Sequence, residues 1–153
     1  MPGRLFLVAT PIGNLADVSA RALETLKASD FIVCEDTRHS AKLLEPHGIA
    51  KPRVSLPAFD EAARAAGIVA RLVAGETASL ITDAGSPAIS DPGERLVAEA
   101  VAAGVEVIPI PGPAALIAAL SASGLPTGRF HFFGFLPREK GEARSMIEEV
   151  AGL

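Results

Sequence analysis

Through its first 120 or so residues the chain alternates short apolar runs of four to seven residues with amphipathic runs of ten or more. Runs that short suit strands, the longer ones suit helices, and strict alternation of the two is the pattern of βαβ units around a parallel sheet. The spacing predicts strands over Arg4 to Ala9, Phe31 to Cys34, near Val54, over Ser79 to Ile81 and over Val105 to Ile110. Helices are predicted over Val18 to Lys27, with Asp17 as cap, and over Ser40 to His47, Glu61 to Ala74, Glu94 to Ala103 and Ala114 to Ser121. Gly48, Gly75 and Gly104 stand just past three of these helices, where a left-handed residue commonly closes the last turn. The expected fold class is α/β, a three-layer sandwich with a mainly parallel sheet. A length of 153 residues is one domain's worth, able to bury about 70% of its unfolded surface.

The end of the chain reads differently. After Gly124 comes a linker-like LPTG, then RFHFFGFLP, which holds Phe130, Phe132, Phe133 and Phe135, four of the seven Phe. As a strand this segment is apolar on both faces and needs cover on both. The residues after it make one amphipathic helix at most. The boundaries expected are therefore an α/β domain over 1–124 and, over 125–153, a linker with the opening of a second domain.

Function is concentrated where strands end. ITDAGSPAISDPG, Ile81 to Gly93, follows one strand, VATPIGNL, Val8 to Leu15, runs out of another, and PIPGPAA, Pro109 to Ala115, out of a third. Glycine and proline at this density make loops whose backbone can approach a ligand closely, and open α/β sheets bind ligands at such strand ends. Carboxylates punctuate these loops: Glu35 and Asp36 after the second strand, Asp83 after the fourth, Asp91 before the next helix. Backbone amides and carbonyls recognise amino-acid and adenine groups, and a nearby carboxylate favours a cation such as a sulfonium. Cofactor binding fits this chemistry better than hydrolysis.

Other chemistries find little support. No two glycines are separated by a single residue, so the GxGxxG fingerprint is missing, as are a Walker loop and a GxSxG elbow. His39, His47 and His131 lack metal-ligand spacing, and no metal site is expected. Cys34 is the single cysteine, which suits a reducing, cytoplasmic setting and a buried apolar role. The amino terminus lacks the pattern of a signal peptide, and no apolar run approaches the ~20 residues a membrane span needs. A net charge of −4 means that any contact with nucleic acid must come from a local patch.

The motifs TPIGNL, EDTR, DAGSP with ISDPG, PGPAA and GFLP, collinear over about 135 residues, resemble the N-terminal domain of the tetrapyrrole methylase superfamily. They are most similar to the branch that uses S-adenosylmethionine (AdoMet) to methylate the 2′-hydroxyl of a cytidine in small-subunit ribosomal RNA. The resemblance implies a cytoplasmic, homodimeric, two-domain enzyme of rRNA processing, with AdoMet in the cleft between the domains and the small ribosomal subunit as partner. Of the second domain, the chain would carry only the opening strand and helix. Carried over by motif, Pro11 and Ile12, then Asp83, Ala84, Gly85, Ser86 and Ile89, then Pro111, Gly112, Pro113 and Ala114 would contact the cofactor. Asn14, Thr37 and Arg38 would face the substrate, and Asp36 first, Glu35 second, would accept the hydroxyl proton.

Besides the shortened second domain, the chain departs from that pattern in another place: the family's His-Asn-Glu segment is replaced by PAFDEAARA, which keeps a carboxylate at Glu61 but no histidine or asparagine. Two rival functions are a precorrin-type small-molecule methyltransferase and a non-catalytic fragment that folds and dimerises through its Phe segment. Several residues also have plain structural readings. Asp91 before Pro92 is expected first as a helix cap, whereas Asp83 is expected in the site. Asp36 or Thr37 could equally start the next helix. His39 reads as a surface residue, and Arg129, Arg138, Lys140 and Arg144, interleaved with glutamates, as a solvated helix face.

Overall fold

A computed structural model describes residues 1–152. Five strands, β1 (Arg4–Val8), β2 (Phe31–Cys34), β3 (Arg53–Ser55), β4 (Ala78–Leu80) and β5 (Glu106–Ile110), form one sheet in the order β3-β2-β4-β1-β5, and every pairing is parallel. Between and after them lie α1 (Ala20–Ala28), α2 (Thr37–Leu44), α3 (Glu61–Val73), α4 (Glu94–Ala102), α5 (Ala115–Ala122) and α6 (Lys140–Ala151). The α/β sandwich expected from the alternation is the one observed.

The strand order dictates the layers. From β1 the chain moves by way of β2 to the edge strand β3, and from β3 it moves back by way of β4 to the opposite edge, β5. Crossovers of one handedness that travel in opposite directions must use opposite faces of the sheet. Accordingly Ala22 and Leu26 of α1 and Leu44 of α2 pack with Val8, Ile32, Ile81 and Ile110 on one face. Ala65, Ile68 and Leu72 of α3 and Leu96 and Ala100 of α4 pack with Leu5, Phe31, Val33 and Leu80 on the other. β2 is buried along its whole length, as a central parallel strand must be.

Local chemistry sets most boundaries, with two corrections. Helix α1 is capped by Ser19, whose hydroxyl accepts from Ala22 N at 3.0 Å, and not by Asp17, which sits in a separate 3₁₀ turn. The Phe-rich segment is not a strand: residues 130–136 hydrogen-bond to no neighbouring strand, and Gly134 is left-handed with φ +73°, which a strand does not accommodate. Its apolar side chains stay exposed, Phe135 by 78%, and α5 and α6 bury no residue.

Leu80 lies fully buried under α3 and α4. Leu80→Ala is expected to lower the unfolding free energy by about 2–5 kcal/mol, the usual cost of a Leu-sized cavity in a close-packed core, read from the shift of the urea midpoint.

Candidate active site

Where neighbouring strands send their connections in opposite directions, the loops at their carboxyl ends part and leave a crevice. Here β4 is such a neighbour to both β1 and β2. The loops after β1 and β4 are nevertheless tied. Thr10 N donates to Gly85 O at 2.9 Å, Gly85 N donates to Thr10 O at 3.1 Å, and the buried Thr10 hydroxyl donates to Thr82 O at 3.1 Å. Gly85 makes this bridge with φ +89°, a left-handed conformation that glycine adopts freely. The loop after β5 comes in close as well, because a Cβ on Gly112 would lie 3.0 Å from Ala9 Cβ.

Three connected hollows surround this tie. The largest, about 570 Å³, is lined by Ile12, Ala84, Gly85, Ser86, Ile89 and Ala114 from the three loops, with Ser90, Asp91, Phe132 and Phe135 closing one side. Ser86, Ile89 and Pro111 line a second, apolar hollow of about 440 Å³. A third, of about 380 Å³, runs from Pro11 and Asn14 to His39 and Lys42 on α2 and shares Ile12 and Ala84 with the first. The motif residues thus converge, and the Phe segment, expected as the opening strand of a second domain, forms a wall of the largest hollow. Gly112 acts through its approach to Ala9, Pro113 lines none of the three, and Thr37 and Arg38 lie at the start of α2 outside them.

Two non-glycine residues, Ala88 at φ +63° and Ser90 at φ +57°, hold left-handed backbone within the loop that walls the cleft. Conformations of this kind cost of order 1–3 kcal/mol each and persist where surrounding structure fixes them, often around ligand sites.

The carboxylates gather over the same edge with distinct characters. Asp36 caps α2: its Oδ1 accepts from Arg38 N at 2.7 Å and from His39 N at 3.4 Å. Those amides, the Arg38 bond foremost, hold its carboxyl below the ordinary aspartate value. Glu35 is shifted the other way, first by burial and then by the charges of Asp83, Asp91 and Asp36. Asp91 is raised chiefly by burial and further by Asp83, against the pull of the neighbouring Thr82 hydroxyl. That hydroxyl is buried and lacks a partner in hydrogen-bonding geometry. His39 is exposed, as expected, and stands on the rim, its Nδ1 3.9 Å from Asp83 Oδ2. Among the described residues no cluster of His, Cys, Asp and Glu is arranged to hold a metal ion.

Asp91 does not cap α4. The helix starts three residues later, behind Gly93, which has no side chain to offer, and Glu61 supplies the acceptor from α3. The signal in the sequence was the Pro-Gly pair itself: a helix entered through glycine needs a cap from elsewhere. Asn14 likewise has a local task, accepting from Ala16 N at 3.0 Å to start the 3₁₀ turn. Cys34 is buried as expected, its thiol raised by desolvation.

These features define a doubly wound α/β domain with a cleft at its switch point. The chain belongs to the family described as Tetrapyrrole (Corrin/Porphyrin) Methylases, whose pattern it matches over residues 4–152. It is 51% identical over 150 residues to a protein of Xylella fastidiosa named ribosomal RNA small subunit methyltransferase I, covering 98% of this chain and 55% of that one. A Pseudomonas aeruginosa protein of the same name is 49% identical, with 97% and 52% covered. The chain thus spans about half the length of these curated relatives. Among solved structures, a conserved hypothetical protein from Aeropyrum pernix K1 superposes with TM-score 0.68 at 26% identity, over 86% of this chain and 46% of that one. Uroporphyrin-III-C-methyltransferase from Thermus thermophilus shares the fold, with TM-score 0.62 at 23% identity, over 82% and 55%. No described helix is long and apolar enough to cross a membrane.

The raised Glu35 carboxyl fixes the sign of a pH effect. As pH climbs through the interval between its ordinary and its folded value, the unfolded chain releases this proton first, so Glu35 weighs increasingly against folding. Glu35→Gln is therefore expected to match the parent's stability in acid and to exceed it above that interval, measured by urea unfolding across pH. A gain greatest in acid would contradict the assignment.

Proposed function

We propose that this chain is the AdoMet-binding part of a methyltransferase that modifies the 2′-hydroxyl of a cytidine ribose in small-subunit ribosomal RNA. The observation that carries the reading is the cleft of about 570 Å³ in which Ile12, Ala84, Gly85, Ser86, Ile89 and Ala114 meet from three separate loops. The ~50% identity to relatives named for that ribosomal RNA supports the substrate class. The cleft lies within the ~300–1,000 Å³ usual for small-molecule sites, and its lining suits the cofactor: backbone-rich turns for polar groups, apolar Ile12 and Ile89, and the Asp83 and Asp91 carboxylates nearby for a cation. Pro11 and Pro111 border the same loops, Gly112 and Pro113 shape the third, and together these residues would hold AdoMet.

When bound, AdoMet supplies an electrophilic methyl on a sulfonium. The protein's part is to align an acceptor hydroxyl with it and to take up the proton. A water-excluding pocket and fixed geometry supply much of the rate in such displacements. Glu35 is the better placed of the two proposed bases. It lines an acidic recess that shares Ser90, Asp91 and Phe135 with the cleft. Its raised proton affinity favours accepting a proton, whereas the Asp36 carboxylate is occupied by two backbone amides. An acidic recess repels phosphate, so the ribose hydroxyl alone is assigned to it. Asn14, Thr37 and the exposed Arg38 are proposed at the RNA-facing rim, Arg38 for backbone phosphate. The exposed apolar residues of α5 and of the Phe segment support a homodimer, and the proposed rRNA substrate supports a cytoplasmic location.

Filling the cleft should abolish cofactor binding without unfolding the domain. Ala114→Trp is expected to remove the heat of S-adenosylhomocysteine binding that calorimetry detects for the parent, with circular dichroism unchanged. Equal affinity in both would move the cofactor elsewhere.

In a protein of the relatives' full length, Glu35→Gln is expected to slow methyl transfer to small ribosomal subunits by about 100- to 10,000-fold with cofactor affinity retained. Asp36→Asn should cost less, since an amide oxygen can still cap α2. Methyl incorporation into tetrapyrroles in place of ribosomal subunits would overturn the substrate assignment.

A further inference from the structure

The amino end of α4 is built in an unusual way. Gly93 stands at the cap position, yet the helix's first amides are satisfied: Glu61 Oε1 accepts from Gly93 N at 3.0 Å, from Arg95 N at 2.9 Å and from Leu96 N at 3.1 Å. One carboxylate oxygen, carried by the first residue of α3, closes three donors more than thirty positions away. Its negative charge also faces the positive end of the α4 dipole. The base from which Glu61 reaches is itself secured. Asp60 pairs with Arg64 at 2.6 Å, and Arg64 donates onward to Ser55 O at 3.1 Å, joining the start of α3 to strand β3.

This clamp lies at one end of the strained loop. Between Gly85, tied to Thr10, and Gly93, tied to Glu61, the chain carries the left-handed Ala88 and Ser90, with Ile89, Ser90 and Asp91 lining the cleft. Gly93 itself has φ +122°, and a Cβ there would lie 2.5 Å from Leu80 Cδ2. The loop is thus pressed onto the core at the point where Glu61 holds it. Strained backbone of this kind relaxes unless both ends are fixed.

We propose that Glu61 is a positioning residue of the cleft: by capping α4 from α3 it holds residues 86–93 in the strained form that presents Ile89, Ser90 and Asp91 to the ligand. The ligand's identity as AdoMet or S-adenosylhomocysteine rests on the function proposed above, whereas the dependence of the loop on Glu61 does not.

The test compares Glu61→Ala and Glu61→Gln in the 153-residue chain, with Glu76→Gln as a control that weakens the Arg71–Glu76 pair near the opposite edge of the sheet. Hydrogen exchange of the peptide spanning 86–96 and calorimetric binding of S-adenosylhomocysteine are the two readouts. Glu61→Ala is expected to speed exchange in that peptide at least tenfold beyond any change elsewhere and to weaken binding at least tenfold. Glu61→Gln, which keeps an acceptor oxygen, should restore most of both, and the control should move neither. Unchanged exchange at 86–96 in Glu61→Ala overturns the proposal, as does faster exchange there with unaltered affinity. Should the parent bind no S-adenosylhomocysteine while exchange responds as stated, the cofactor reading falls and the clamp stands.

Discussion

Parallel strands leave their carboxyl-end loops at a switch point free to part, and in this domain the loops are held by hydrogen bonds that Thr10 makes as donor and as acceptor. Two of them pair its backbone with Gly85, and a third runs from its buried hydroxyl to Thr82 O. β1 and β4 are parallel hydrogen-bonded neighbours, Leu5 opposite Ala78 and Leu7 opposite Leu80, and beyond the sheet, where that register has ended, the tie joins their loops as an antiparallel bridge. The three hollows form around it. Were it absent, Ile12 and Ala84, which divide the largest hollow from the one beside α2, would have no fixed separation.

The far ends of the same loops are fixed by charge. Asp36 at α2 and Glu61 at α4 each place a carboxylate on the first amides of a helix, where the macrodipole favours negative charge. Both helices point their amino ends toward the site. The remaining acids, Glu35, Asp83 and Asp91, lack such amide partners, so burial and mutual repulsion govern Glu35 and Asp91 and raise their proton affinity. Neighbouring carboxylates on one sheet edge thereby divide into structural anions and groups ready to take a proton.

The rest of the chain follows a different rule. Through β5 the apolar side chains packed on the sheet are buried or half-buried, whereas α5, the Phe segment and α6 leave Ile117, Phe133, Phe135 and Ile147 in contact with solvent. This segment meets the sheet domain at the cleft: Gly134 approaches Ser90, so close that a Cβ would lie 3.2 Å from its hydroxyl, and Phe132 and Phe135 wall the hollow. Loop shape and tail position are therefore linked through these contacts.

Several features depend only on residues close together in the chain, and these were legible in the sequence. The strand and helix alternation, the helix stops at Gly48 and Gly104, the burial of Cys34, and the gathering of DAGSP, TPIGNL and PGPAA at strand ends all follow from local periodicity and from the conformations that glycine and proline permit. What tertiary structure alone decided was which partner each polar group or apolar face would find. Ser19 and not Asp17 caps α1, because the 3₁₀ turn takes Asp17 out of line. Asp91 before Pro92 looked like a cap, but the backbone stays irregular to Gly93, and Glu61 arrives from another helix. The Phe-rich run had strand composition and found no strand edge to join, so it became a wall. A helix terminus or a strand can be recognised from its own residues, but a hydrogen bond or a packing face is completed by whatever the fold brings opposite, and that is settled only when distant segments meet.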